Sequence, residues 1–115
     1  MVDTHILDSA IARRKKLNEA VRTETFANTL DALVKAEEHF RIGNACLYGS
    51  VVERGRFCNK SDIDVAVEGV TSKDFFRLRS FLEDALGREV DLTDLADAPI
   101  SEKIKKRGIP WKTVQ

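Results

Sequence analysis

The sequence predicts an α+β domain, a small mixed β-sheet with helices packed against it. Three observations lead there. Short strand-like runs at 45–48, 62–67 and 89–93 alternate with longer stretches of helical apolar spacing. Turn and cap residues separate them, at Gly43-Asn44, Gly69, Thr71-Ser72 and Gly87. The length of 115 residues suits a single domain over 1–115 with one modest core.

Taken in order, residues 6–21 place Ile6, Leu7, Ala10, Ile11, Leu17, Ala20 and Val21 at helical spacing, broken only by Arg14. A second stripe follows with Phe26, Leu30, Leu33, Val34 and Glu37. Thr23 or Thr25 could cap it, and the pattern fits either a bend or one continuous helix. Gly43-Asn44 should end this N-terminal segment, 1–43. The first strand is 45–48, and a short helix is expected to begin at Ser50 and run to about Arg54. The second strand is 62–67. Thr71-Ser72-Lys73-Asp74 opens the next helix with a capping-box-like pattern. Phe75, Leu78, Phe81, Leu82 and Leu86 form its buried stripe, and Gly87 suits the C′ position. The third strand is 89–93, which closes a core of 45–93. A loop at 97–99 leads to a last short helix at 101–107, stopped by Gly108 and Pro110, within a C-terminal unit of 97–115. Trp111 is expected to pack back onto the body.

Composition excludes several functions. Lys plus Arg and Asp plus Glu number nineteen each, so the net charge is zero and argues against a nucleic-acid partner. Cys46 and Cys58 form neither a disulfide framework nor a zinc spacing. Cys46 reads as a small core residue and Cys58 as an exposed thiol. No apolar run reaches membrane-spanning length, and a cytoplasmic location with no membrane contact is expected. Arg13-Arg14-Lys15-Lys16 reads as a solvated helix face, because four consecutive residues wrap around a helix. His5 and His39 are not placed to serve a nucleophile. Tyr48 reads as strand packing, with substrate stacking as the other use.

The chemistry lies in two neighbouring strings. Leu47-Tyr48-Gly49-Ser50 is a strand running into a Gly-Ser turn, and Ser61-Asp62-Ile63-Asp64-Val65 begins eleven residues after Ser50. Alternation puts Asp62 and Asp64 on one strand face, with Cα atoms about 7 Å apart. Two close carboxylates repel unless a cation lies between them, and hard oxygen ligands suit Mg²⁺ completed by substrate phosphates. Gly49 lets the backbone approach a ligand, and Ser50 adds a hydroxyl and the start of a helix, whose free N–H groups favour phosphate. In Glu89-Val90-Asp91-Leu92-Thr93-Asp94, Asp91 faces away from the apolar pair Val90 and Leu92. Glu89 and Asp94 compete with it for the role of third carboxylate.

The Gly-Ser turn, the spacer with Arg54-Gly55 and the Asp-x-Asp strand resemble the minimal nucleotidyltransferase (MNT) family of the DNA polymerase β superfamily. The likeness covers about 45–93 with specific motifs. It implies the polymerase β-like nucleotidyltransferase fold, here with an additional N-terminal helix. That helix is expected to cover the sheet, with a homodimer or partner contact as its other use. The resemblance implies an NTP-dependent transferase with a two-metal Mg²⁺ site on Asp62, Asp64 and Asp91, the last also taking the acceptor's proton. It implies that Gly49 and Ser50 hold the phosphates of an NTP, with ATP as the expected substrate, Arg54 neutralising charge and Arg56 or Lys60 as other candidates. The spacer is one residue longer than the family's usual, and the extra residue falls at 51–53.

Stand-alone members are often paired with small helical HEPN-type toxins. The resemblance therefore implies an antitoxin that transfers AMP to a protein hydroxyl, AMPylation within a toxin-antitoxin system. Two other readings stay open. One is a non-catalytic module inhibiting its partner by contact, favoured by the longer spacer. The other is a small-molecule, antibiotic-type nucleotidyltransferase, which normally carries a further domain for its acceptor.

Overall fold

Alternation along three short strands gives the sheet two unlike faces. The computed structural model describes residues 4–96, 104 and 107–111. Its elements are α1 (Thr4–Ala36), β1 (Asn44–Tyr48), a 3-10 turn (Gly49–Val52), β2 (Ile63–Glu68), α2 (Ser72–Leu86), β3 (Val90–Asp94) and β4 (Ile109–Pro110). The strand order is β3-β2-β1-β4. β2 and β3 run parallel, while β1 pairs antiparallel with both β2 and β4. The mixed α+β architecture is the one the sequence predicts.

Ala45, Leu47, Ile63, Val65, Val67, Val90 and Leu92 turn to one face and bury against Leu33, Ala36, Leu78 and Leu82 of the helices. The opposite face carries Cys46, Tyr48 and Ala66, which pack with Leu95 and Ile104 in a smaller cluster. The carboxylates also emerge on this second, thinly covered face. α2 is held as its residues predict. The Thr71 hydroxyl accepts from the Asp74 N–H at 3.3 Å, and Gly87 closes the helix at φ 62°, a left-handed conformation that costs glycine little.

α1 is one continuous helix and has no cap at Thr23 or Thr25. The Thr23 hydroxyl donates to the Glu19 carbonyl at 2.9 Å and the Thr29 hydroxyl to Thr25 at 2.7 Å, so both bonds stay inside the helix. The helix stops at Ala36, and a turn over 37–40 precedes Gly43. Its packing face differs from the expected stripe. Thr29, Ala32, Leu33 and Ala36 are buried, whereas Val34 is 52% exposed. Small residues at 29, 32 and 36 allow close approach to the body, and Val34 falls on the outer side.

The expectation that the N-terminal helix covers the sheet holds only for its second half. Residues 4–17 are exposed throughout, including Ile6, Leu7, Ile11 and Leu17. At about 1.5 Å per residue the helix outruns the body, and the molecule's long axis is 58 Å against 28 and 27 Å. No helix among the described residues is long and apolar enough to cross a membrane.

The C-terminal end adds a strand that the sequence does not announce. Ile109 and Pro110 pair with Leu47 and Cys46, and the Trp111 N–H donates to the Ala45 carbonyl at 3.1 Å. Trp111 is buried in the main core, as expected. The predicted helix at 101–107 lies mostly outside the described residues, with Ile104 and Arg107 helical.

The two halves of α1 should therefore respond differently to truncation. Leu33→Ala, at a fully buried position, should cost about 2–5 kcal/mol. Leu17→Ala, at a 64% exposed position, should stay within about 0.5 kcal/mol. Urea unfolding of both variants measures the contrast.

Candidate functional site

One row of the sheet collects the site. Tyr48 on β1 lies opposite Asp64 on β2, and Asp64 lies opposite Asp91 on β3. Residues opposite each other on neighbouring strands share a face, so the two carboxylates sit side by side. Asp62 precedes β2 and is exposed, close enough for its charge to act on Asp64. Burial first, then the charges of Asp91 and Asp62, pushes the Asp64 carboxyl up to about 6. Tyr48 is raised by burial and, secondarily, by the Asp64 and Asp91 charges, against a lowering bond with Thr93. Its hydroxyl lies 3.0 Å from Thr93 Oγ1.

Gly49 turns the chain directly over this row. Its φ is +76°, and a Cβ there would fall 2.1 Å from Asp64 Oδ2. Only glycine fits both the left-handed backbone and the contact. The helix expected from Ser50 is instead a four-residue 3-10 turn, Gly49–Val52. Glu53 is already extended, at φ −108° and ψ 118°, and ends it. Ser50 therefore begins a single turn, and few regular N–H groups follow it.

The candidate cations are spread over three depressions. One of about 370 Å³ borders Gly49 and is lined by Tyr48, Val52, Glu53, Arg56, Ile104 and Arg107. Arg54 instead lines a cavity of about 500 Å³ with Lys15, Lys16 and Glu19, on the side of α1. The structure thus brings Arg56 and Arg107 beside Gly49 and does not bring Arg54 there. No local pattern marks Arg107 for this place, because its approach to Gly49 depends on the C-terminal fold. Lys60 lies elsewhere, in a shallow depression with Asp62, Arg88 and Glu89.

Arg88 is the residue that sequence reasoning missed. Its Nη1 donates to the carbonyls of Cys58, Asn59 and Ser61 at 3.4, 3.1 and 3.0 Å. Its guanidinium also stands 4.8 Å from the centre of the Phe57 ring. It pins the end of the spacer just before Asp62. No local pattern marks this role, since the partners lie 27 to 30 residues away.

The competitors of Asp91 go elsewhere. Asp94 lies opposite Val67, and its Oδ1 accepts from the Ala96 N–H at 2.9 Å, which makes it part of the turn after β3. Glu89 is exposed at the mouth of β3, where its carbonyl accepts from the Ile63 N–H at 3.0 Å. Among the described residues, no three His, Cys, Asp or Glu side chains converge to hold a metal ion by themselves. The expected trio is thus not a preformed cage, and Asp62 stands at the exposed end of the row. Mg²⁺ commonly binds through one or two carboxylates and completes its shell with water and substrate phosphates. The adjacent Asp64 and Asp91 oxygens, with their uncompensated like charge, fit that chemistry.

Two stability measurements check this geometry. A carboxyl raised in the folded state is a stability cost that appears as pH rises from about 4 to 6. With EDTA present, Asp64→Asn should therefore melt higher than wild type above pH 6. The gain should be about 1 kcal/mol or less for this half-exposed group, and it should vanish near pH 4. Gly49→Ala should lose stability by about 1–3 kcal/mol from backbone strain plus the clash with Asp64. Adding Asp64→Ala should recover only the clash.

With this geometry in hand, comparisons define the relatives. The model of the family described as Polymerase beta, Nucleotidyltransferase matches residues 30–110. A search of curated proteins finds no match. A solved structure described as a minimal nucleotidyltransferase is 31% identical at a TM-score of 0.58, covering 80% of this chain and 93% of its own. A toxin-antitoxin structure with AMP-PNP is 25% identical at a TM-score of 0.62, covering 75% of this chain and 74% of that one. A chain of the Shewanella oneidensis complex between a tri-AMPylated HEPN toxin and an MNT antitoxin shares the fold at 23% identity. Its TM-score is 0.57, over 79% of this chain and 74% of that one. The Gly-Ser turn over paired strand carboxylates therefore stands within a recognised scaffold, and the chain belongs to the polymerase β nucleotidyltransferase family.

Proposed function

We propose that this nucleotidyltransferase moves AMP from ATP to a hydroxyl on a protein acceptor, as the antitoxin partner of a small helical HEPN-type protein. The observation that carries the reading is the pairing of Asp64 with Asp91 across β2 and β3, directly beneath the Gly49 turn. The toxin-antitoxin relative with AMP-PNP supports the nucleotide, and the AMPylated HEPN–MNT complex supports the acceptor class. The exposed Ile6, Leu7, Ile11 and Leu17 of α1 support a protein contact, with a homodimer as the other occupant.

In this reading the Gly49 backbone and the Ser50 hydroxyl orient the β- and γ-phosphates, while Arg56 and Arg107 neutralise their charge. Asp62, Asp64 and Asp91 would hold Mg²⁺, which supplies charge stabilisation at the phosphates when bound. Asp91 accepts the proton of the acceptor hydroxyl. The acceptor oxygen forms a bond to the α-phosphorus as the bond to the β-phosphate oxygen breaks, and pyrophosphate leaves. Arg54, on the α1 side, contributes long-range charge.

A second reading, inhibition by contact without transfer, is favoured by the short 3-10 turn after Gly49. One experiment separates the two. The protein is incubated with Mg²⁺, α-labelled ATP and a candidate helical HEPN-type partner, alongside Asp62→Asn and Asp64→Asn. Label should appear on the partner, and either variant should lower the rate by on the order of 10³-fold while staying folded. Tight binding with no label would establish the contact reading, and wild-type turnover in the variants would overturn the site.

A further inference from the structure

α1 reaches the spacer loop with two side chains. Glu19 Oε1 accepts a hydrogen bond from the Gly55 N–H, and Glu19 Oε2 accepts from Arg22 Nε at 2.9 Å. Arg22 Nη1 in turn donates to the Val51 carbonyl at 3.2 Å. Residues three apart lie on one face of a helix, so a single patch of α1 grips both ends of 51–55. Both side chains are largely covered, at 19% exposure for Arg22 and 28% for Glu19. The Gly55 N–H first, and then Arg22, hold the Glu19 carboxyl below its ordinary value.

The gripped segment starts immediately after Ser50. It is also where the longer spacer carries its extra residue. Val51 is itself buried in the main core, Val52 packs against that core and Glu53 pairs with Arg56. The start of the segment is thus anchored, and the grip of α1 adds to that anchoring and extends it to Gly55. Within the segment the backbone closes on itself through Glu53 N–H to Ser50 carbonyl at 3.2 Å and Arg56 N–H to Glu53 carbonyl at 3.3 Å. A four-residue turn followed by irregular chain has more freedom than the helix expected there. Closing a longer loop costs further entropy. Fixing the Val51 carbonyl and the Gly55 N–H restricts that freedom and favours the Gly49–Ser50 turn that faces Asp64. Glu19 and Arg22 both lie before residue 30, where the family match begins, so this grip belongs to the chain's own N-terminal helix.

We propose that Glu19 and Arg22 are positioning residues, a two-ended clamp from α1 that sets the Gly49–Ser50 turn for phosphate. The consequence for nucleotide rests on the transferase reading, whereas the clamp itself does not.

The test reads both levels separately. Amide exchange and resonance positions are followed by NMR in wild type, Glu19→Ala, Glu19→Gln, Arg22→Ala and the control Glu24→Ala, an exposed site on the same helix. Affinity for AMP-PNP with Mg²⁺ is measured by calorimetry on the same proteins. Glu19→Ala and Arg22→Ala should speed exchange at Gly55, shift the Gly49 and Ser50 amide resonances, and weaken AMP-PNP roughly tenfold. Glu19→Gln keeps an acceptor oxygen for Gly55 and should recover much of this, and Glu24→Ala should change nothing. Unmoved Gly49 and Ser50 resonances in the alanine variants would overturn the proposal, even with faster exchange at Gly55. So would unchanged affinity for AMP-PNP. Shifted resonances in a protein whose wild type fails to bind AMP-PNP would uphold the clamp and sink the transferase reading instead. Loss of Glu19→Ala to misfolding would leave Arg22→Ala and Glu19→Gln to decide by the same readouts.

Discussion

Gly49 and Asp64 meet so closely that no side chain fits between them, and the rest of the candidate site is arranged around that contact. The backbone must turn with positive φ where the β2 carboxylate rises to meet it. Register then does the remaining work. Once Asp64 is placed opposite Tyr48, antiparallel pairing of β1 and β2 brings the Gly-Ser turn to the same end of the sheet. Parallel pairing of β2 and β3 brings Asp91 alongside. A register slip of one residue would send both carboxylates into the helix-packed core, so the core that stabilises the sheet also selects the site.

That selection depends on an unequal division of the sheet. One face is sealed by the two helices through Leu33, Leu78 and Leu82. The other holds only a small cluster around Ala66 and Ile104, which leaves Asp64 partly solvated and open to ligand. A fully covered second face would bury paired carboxylates at a cost the chain could not offset. An uncovered one would remove the largest cause of the raised Asp64 carboxyl and leave only its two like-charged neighbours. The observed compromise holds a carboxyl near the physiological range with two like charges beside it, a condition that attracts cations and any phosphate they carry.

The loop between the two motifs is ordered from outside. Arg88, just ahead of β3, ties its far end through three carbonyls, and α1 ties its near end at Val51 and Gly55. The loop carries little regular structure of its own, so its shape is set by side chains distant in sequence. The charge of a formally neutral chain is thereby sorted in space. Carboxylates occupy the open sheet face, Arg56 and Arg107 flank Gly49, and Lys15, Lys16 and Arg54 gather on the side of α1.

The amino-acid sequence by itself determined β1, β2 and β3, α2 with both of its caps, and the shared face of Asp64 and Asp91. These follow from periods of 2 and 3.6 residues and from cap chemistry, which act between near neighbours. It also marked Gly49, because a glycine between an apolar strand and a serine has few other uses. Tertiary structure decided what depends on distance. The Thr23 and Thr25 signals gave no bend, because a helix can satisfy the threonine hydroxyl internally. Whether Ile6 and Leu17 would be buried rested on how far the body extends beneath α1, and no local spacing encodes that reach. β4 is two residues long and contains a proline, so only its pairing with Cys46 and Leu47 makes it a strand. The separation of Arg54 from Arg56, and the approach of Arg88, Glu19 and Arg22 to the spacer, arise from contacts across 27 or more residues, where sequence order constrains nothing until the chain has closed.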